Sequence, residues 1–345
     1  MMKYYVAISS KNLLLFVCFP RRMTVMLRGD WRTSMEQNKM KGIAAIMTAV
    51  VLWGISFVNI RVAVQVIPAM TLGALRFTIA SILLFGVMKL KKESFKLHRE
   101  DFLNVFIAGA VGITIYFYFE NNGILYTSAS AASLIIASIP VFSVMFESLI
   151  YKKPITKKSI FSLTLSIVGV CMVVGVDIGA LVGSGYMKGY MMMGGAVVAW
   201  VAYSVTSTPL FKKYSQLQVL FWQSVIGLAC FIPFALMETT NWTHVTSEIW
   251  MHVVILGVFA SAVGFYVYLY ALDVLGIGES SYYLNVIPVV TIIVGYFYLG
   301  ETLSIVQLFG GLVIIASVLL VSGGTGQSAE SKDTDSDRIV QSETA

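Results

Sequence analysis

Charge is what this sequence has least of: Asp, Glu, Lys and Arg together make up 12% of its 345 residues. A water-soluble fold needs far more polar side chains than that to cover its surface, and here 57% of residues are hydrophobic with a mean hydropathy of +0.81. Cysteine is scarce as well. Cys18, Cys171 and Cys230 follow no metal or redox spacing, and two of them fall inside apolar runs, so no disulfide is expected. His98, His244 and His252 lie in or near connectors and form no ligand set, so no metal site is expected. The chain also lacks a His-Glu-x-x-His motif, a Gly-x-Ser-x-Gly elbow, a Walker loop and paired carboxylates within one apolar run. Those gaps argue against an enzyme, and no catalytic residue or cofactor is assigned. Without a pore loop or a charged ring, a channel is disfavoured too. The net charge of +6 does not point to nucleic acid, because the basic residues cluster between apolar runs, where they act as topology signals.

What is there in abundance is long apolar sequence. Runs near 43–63, 69–88, 102–125, 128–150, 159–176, 189–209, 217–237, 249–271, 278–299 and 303–322 each approach the roughly 20 residues a helix needs to cross a bilayer. The expected fold class is an all-α polytopic membrane protein with ten transmembrane helices. Basic clusters follow the second, fourth and sixth runs: Lys89, Lys91 and Lys92; Lys152 and Lys153; Lys212 and Lys213. All three lie on one side, which the positive-inside rule makes cytoplasmic. An even count of spans then puts both termini in the cytoplasm, with the chain multi-pass in the cell membrane.

Residues 1–41 are expected to form a cytoplasmic N-terminal segment, and the polar residues 324–345 a disordered cytoplasmic tail. The run Leu13 to Val17 is too short to span and is followed by no cleavage site for a signal peptidase. Met35 opens an ordinary cytoplasmic lead-in, and Trp31-Arg32 is compatible with TGG-AGG, which resembles a ribosome-binding site. Translation is therefore expected to start at Met35, and peptides from residues 1–34 in mass spectra of the native protein would refute this.

The chain repeats itself. Gly109, Tyr118, Ser133, Ile139, Pro140, Val141 and Gly175 recur 148 positions on as Gly257, Tyr266, Ser281, Ile287, Pro288, Val289 and Gly323. At an offset of 147, Gly42 falls on Gly189 and Trp53 on Trp200. Two units follow, 42–176 and 189–323, each holding five apolar runs. Five is odd, so the second unit enters the membrane from the opposite side. Inverted repeats of this kind are a common basis for alternating access in secondary transporters.

Taken together, Val51-Leu52-Trp53-Gly54, Leu75-Arg76-Phe77, Leu125-Tyr126-Thr127-Ser128-Ala129, Pro140-Val141-Phe142, Ile287-Pro288-Val289, Gly300-Glu301-Thr302 and Gly310-Gly311 resemble the drug/metabolite transporter superfamily, in particular its EamA-type ten-helix members. The resemblance covers about residues 42–323. It implies export or uptake of amino acids, metabolites or drugs without a nucleotide-hydrolysing part, and it leaves the substrate open.

Carriers of this design bind near the bilayer midplane, so depth selects candidates. Trp53 and Trp200 lie at the centres of the first and sixth runs. Tyr116 with Glu120, Trp200 with Tyr203, Tyr266 with Tyr270, and Tyr282 with Asn285 are spaced three or four apart and share helix faces. As a set they suggest a substrate cavity; individually, interhelical bonding or an interfacial aromatic belt explains each equally well. Pro140 and Pro288 mark corresponding hinges or ordinary kinks. Arg76 and Glu120 sit at similar depth, where an unpartnered charge costs roughly 3 kcal/mol or more, so they are expected to pair. Glu120 is also the candidate for a coupling proton, and Gln223 stands where the repeat would place a second Arg76. Glu147, Asp273, Glu279 and Glu301 fall near span ends, where capping and solvation account for them.

The expected function is a secondary transporter for small metabolites, amino acids or drugs, working by alternating access and exporting its substrate in one version. The competing reading is a membrane receptor or scaffold that binds a ligand without moving it. The expected partners are a small-molecule substrate, the lipid bilayer and a coupling proton. Oligomeric state is left open.

Overall fold

A computed structural model describes residues 4–10, 13–19, 21–150, 157–174, 185–317 and 319–320. The Lys152-Lys153 connector, the linker between the two repeats, the tail at 324–345 and the side chains of Glu147 and Tyr282 lie outside the described residues. At the start of the chain, β1 (Tyr4–Ser10) and β2 (Leu13–Phe19) pair antiparallel. Among the described residues, the regular elements that follow are all helical.

Seven helices among the described residues are long and apolar enough to cross a membrane: α1 within Gln37–Ala63, α2 Ala69–Lys91, α3 Arg99–Tyr126, α6 Tyr186–Lys212, α7 Gln216–Ala235, α8 Ser247–Ile277 and α9 Glu279–Leu299. Three further apolar helices are shorter over their fully described residues, α4 Ala129–Ser143, α5 Ile160–Val173 and α10 Ile305–Ser317. The first helix begins much earlier than its apolar run, at Arg21, because no proline interrupts residues 21–67. Ser128, Ser215 and Thr246 start α4, α7 and α8 by accepting from the backbone N–H three residues on, at 3.0, 3.2 and 3.4 Å.

Two irregularities recur at repeat-related places. Ala110–Ile115 in α3 and Leu256–Gly264 in α8 are wound as π-helix, a form frequent at functional sites. Pro140 and Pro288 are each the second residue of a restarted helix, at Ile139–Ile150 after a break at Ala137 and Ser138, and at Ile287–Leu299 after the 3₁₀ turn Leu284–Val286. There the missing proline N–H falls among the unbonded donors of a first turn, where it costs nothing.

The helices pack across the two units: α2 on α7, α3 on α6, and α1 on α8 and α9. Glycine permits the closest crossings. A Cβ at Gly109 would lie 2.9 Å from the Gln223 carbonyl oxygen and 3.0 Å from Ile226 Cβ. One at Gly257 would lie 3.1 Å from the Arg76 carbonyl oxygen and 2.7 Å from Ile79 Cβ. Subtracting 147 from Gln223 and Ile226 gives Arg76 and Ile79, so the two crossings are copies of each other.

Charged side chains tie the helix ends. Glu238 accepts from the Met70 and Thr71 N–H groups at 3.1 and 2.7 Å, and Glu301 from those of Ala129 and Ser130 at 3.0 and 2.9 Å. Each carboxylate thus caps the positive end of a helix in the other unit. Arg61 donates to the Ile124 and Leu125 carbonyls that end α3, at 2.8 and 2.7 Å. At the opposite end Lys39 pairs with Glu279 at 2.9 Å, and Lys213 with Asp101 at 2.9 Å and Glu100 at 3.1 Å. Hydrogen bonds from Lys213 to those two carboxylates raise its pKa above the ordinary lysine value.

Candidate functional site

Where the two units meet, α1, α2, α3, α4, α6, α8 and α9 enclose a small cavity of about 20 Å³, room for about one water molecule. Its walls are aromatic. Trp53 and Trp200 meet edge to face with ring centroids 5.2 Å apart, and Phe117 and Phe265 lie 5.9 Å apart beside them. Tyr116 lies tilted against Trp200 with ring centroids 5.0 Å apart, and Tyr268 sits 5.1 Å from both tryptophans. Gly264 makes room for the Trp53 indole, whose Nε1 donates to the Ala260 carbonyl oxygen at 3.1 Å. That acceptor belongs to the π-helical segment of α8.

Four pairs of cavity residues are repeat equivalents: Trp53 and Trp200, Phe117 and Phe265, Ile136 and Leu284, Ile139 and Ile287. The polar residues are not duplicated. Arg76 and Glu120 both face the cavity from the first unit, and the second unit carries Gln223 and Tyr268 in their places. Arg76 is only 1% exposed and Glu120 3%.

The direct Arg76–Glu120 pair expected from the sequence is absent: no nitrogen–oxygen distance between them is within 4.0 Å. Each has found another partner. Glu120 Oε1 accepts from the Tyr116 hydroxyl at 2.6 Å. Arg76 Nε donates to Ser261 Oγ at 2.8 Å, and its guanidinium carbon lies 4.2 Å from the Phe117 ring centroid. Arg76 Nη1 has no partner. The two charges face one small volume from separate anchors.

Of the residues singled out from the sequence, Trp53, Arg76, Tyr116, Glu120 and Trp200 line the cavity. Tyr203 is buried just behind Trp200, its hydroxyl donating to Gln223 Oε1 at 3.1 Å. Asn285 is buried between the lining residues Leu284 and Ile287. Pro140 and Pro288 follow Ile139 and Ile287 directly and so fix the direction of the lining turns. Tyr266 is turned away, its ring 5.4 Å from the Lys91 ammonium, and Tyr270 is half-buried outside the lining.

Residues missed by sequence reasoning are Ser56, Phe57, Phe117, Ile136, Ile139, Phe265, Leu284 and Ile287 in the wall, with Tyr268 and Ser261 behind it. The repeat offset was the available signal. Adding 148 to Glu120 gives Tyr268, and to Phe117 gives Phe265, which corrects the face chosen on α8.

Residues 40–175 and 187–323 each match the model of the EamA-like transporter family. An uncharacterized transporter of Archaeoglobus fulgidus is 25% identical over 283 residues, covering 82% of this chain and 99% of that protein. A probable terminal-alkyne amino-acid exporter of Streptantibioticus cattleyicolor is 27% identical over 292 residues, covering 83% and 94%. A solved crystal structure superimposes with a TM-score of 0.59 at 18% identity over 82% of this chain and 96% of that one, a likeness of fold.

Proposed function

The chain belongs to the EamA-like transporter family, and from that premise we propose a secondary carrier that moves small amphipathic metabolites, amino acids among them, by alternating access. The observation that carries the reading is the cavity at the junction of the two units, walled by duplicated aromatics and holding one cation and one anion. The cavity is closed in this conformation, and on opening its wall offers an apolar or aromatic side chain a matching surface. Glu120 receives a substrate ammonium, and Arg76, whose Nη1 is unpartnered, receives a carboxylate. Glu120 alternates between that ammonium and a coupling proton. The exporter named among the relatives handles amino acids, which agrees with this chemistry.

In this reading ten helices cross the cell membrane as two inverted five-helix repeats, with the Lys-rich side and both termini cytoplasmic. The packing supports it. Exchanging the units turns the α1–α8 contact into α6–α3 and the Gly109 crossing into that of Gly257, and it leaves α2–α7 as it is. A set of contacts that maps onto itself in this way can exist in two mirror versions of similar energy, which alternation requires. Glu238 and Glu301 hold the units together at the outer end, and the Lys39 and Lys213 ion pairs do so at the cytoplasmic end. One set must release for the cavity to open towards its side.

The test uses the full chain purified in detergent, with melting temperature measured against amino acids, amines, nucleosides and cationic drugs, then flux of each hit in proteoliposomes. A compound that both stabilises the protein and crosses the membrane is the expected outcome. Hits that bind under several imposed pH gradients yet never cross would overturn the carrier in favour of a receptor.

A further inference from the structure

We infer that Ser261 is a positioning residue for the anion-binding group of the cavity, an assignment that rests on the reading of Arg76 as the receiver of a substrate carboxylate. A guanidinium offers five N–H donors in a rigid planar fork, and its ability to grip a carboxylate with two parallel bonds depends on how that plane is turned. Packing over the Phe117 ring at 4.2 Å fixes the height of the Arg76 guanidinium but leaves it free to rotate about the ring normal. The hydrogen bond from Nε to Ser261 Oγ at 2.8 Å removes that rotation. With Nε engaged behind, Nη1 is left unpartnered for the cavity.

The backbone is arranged for this contact. Ser261 lies in the π-helical segment Leu256–Gly264, four residues after Gly257. It is the bare Gly257 that lets this segment approach the Arg76 backbone, since a Cβ there would come within 3.1 Å of the Arg76 carbonyl oxygen. Ser261 itself is fully buried, so its hydroxyl is not spent on solvent.

The other unit supplies a comparison within the same molecule. The repeat equivalents of Arg76 and Ser261 are Gln223 and Ile113. Ile113 has no hydroxyl, and Gln223 turns instead to Tyr203 at 3.1 Å and Ser207 at 2.9 Å on α6. The hydroxyl is therefore present only where there is a guanidinium to orient. A buried serine serving general helix packing has no reason to follow the charge.

The assignment is tested with Ser261→Ala, Ser261→Thr and Arg76→Gln in the full-length chain, reconstituted in proteoliposomes. The probes are phenylalanine and its decarboxylated counterpart phenethylamine, with KM and kcat read separately and melting temperature recorded for each variant. Ser261→Ala is expected to raise KM for phenylalanine roughly five- to tenfold, the scale of one net hydrogen bond, with kcat and the amine kinetics unchanged. Ser261→Thr, which keeps the hydroxyl, restores the KM. Equal losses for acid and amine, no loss for either, or failure of threonine to rescue would each overturn the assignment. Arg76→Gln separates the two levels of the argument. If it leaves acid and amine discrimination intact, the reading of Arg76 falls and Ser261 with it; if it abolishes discrimination while Ser261→Ala does not, only Ser261 falls.

Discussion

The two halves of this protein agree on shape and disagree on chemistry. Trp53 and Trp200, Phe117 and Phe265, Ile136 and Leu284, and Ile139 and Ile287 face the cavity from equivalent positions. Arg76 is answered by Gln223, Glu120 by Tyr268, Tyr116 by Gly264 and Ser261 by Ile113. In the carrier proposed above, the shared part is what both conformations must preserve, because each half in turn takes the other's place. The unshared part would then set which molecule is bound, free of that constraint, and polarity on one side only would give the substrate a fixed orientation relative to the first unit.

The comparison can be broken where the halves are alike. Trp53→Ala and Trp200→Ala should each cost about 3–5 kcal/mol of packing, with matching falls in melting temperature in detergent. Unequal falls would mean that the wall is symmetric in sequence alone. Where the halves differ, the effects should be one-sided. Glu120→Gln should lower flux of an amine-bearing probe roughly a hundredfold, as expected for a buried charged partner, and abolish its dependence on pH. An unchanged pH profile would remove Glu120 from proton coupling.

Smaller effects sharpen the same point. Gly109→Ala and Gly257→Ala should each destabilise by about 1–3 kcal/mol through overpacking, and only the second should also disturb Arg76. Melting temperatures with and without a carboxylate probe would tell them apart. Smallest of all, Glu238→Ala and Glu301→Ala each remove a helix cap worth about 1 kcal/mol. A cysteine introduced at Ser56 should then react faster with a membrane-impermeant maleimide from outside the vesicle. No change in labelling would dissociate these carboxylates from the opening of that end.

Most of the helices were legible because a bilayer demands long apolar runs and hydropathy reports them directly. The expected 69–88, 102–125 and 217–237 correspond to Ala69–Lys91, Arg99–Tyr126 and Gln216–Ala235. The expected 128–150 corresponds to Ala129–Ile136 and Ile139–Ile150, one run with a break just before Pro140 that apolar content does not reveal. In the site, tryptophan and charge at mid-depth were conspicuous, and Trp53, Trp200, Arg76 and Glu120 were found. Phe117 and Phe265 were not, because a phenylalanine facing a cavity and one facing lipid look the same in a sequence. The face of α8 was misread as Tyr266 and Tyr270 because a spacing of four says that two residues share a face and not which way that face points. Likewise the separate anchors of Arg76 and Glu120 depend on side-chain direction, which spacing does not reveal.

The bond from Trp53 to the Ala260 carbonyl has a consequence for heredity. Its acceptor is main chain, so no exchange of one amino acid for another at position 260 deletes it. What does threaten it is the loss of a single codon between positions 256 and 264. Losing one residue would turn the rest of α8 by roughly 100°, swinging Phe265 out of the wall and Tyr268 from its place behind it. Drift by substitution can explore new substrates on this scaffold, while the reading length of that short stretch stays fixed.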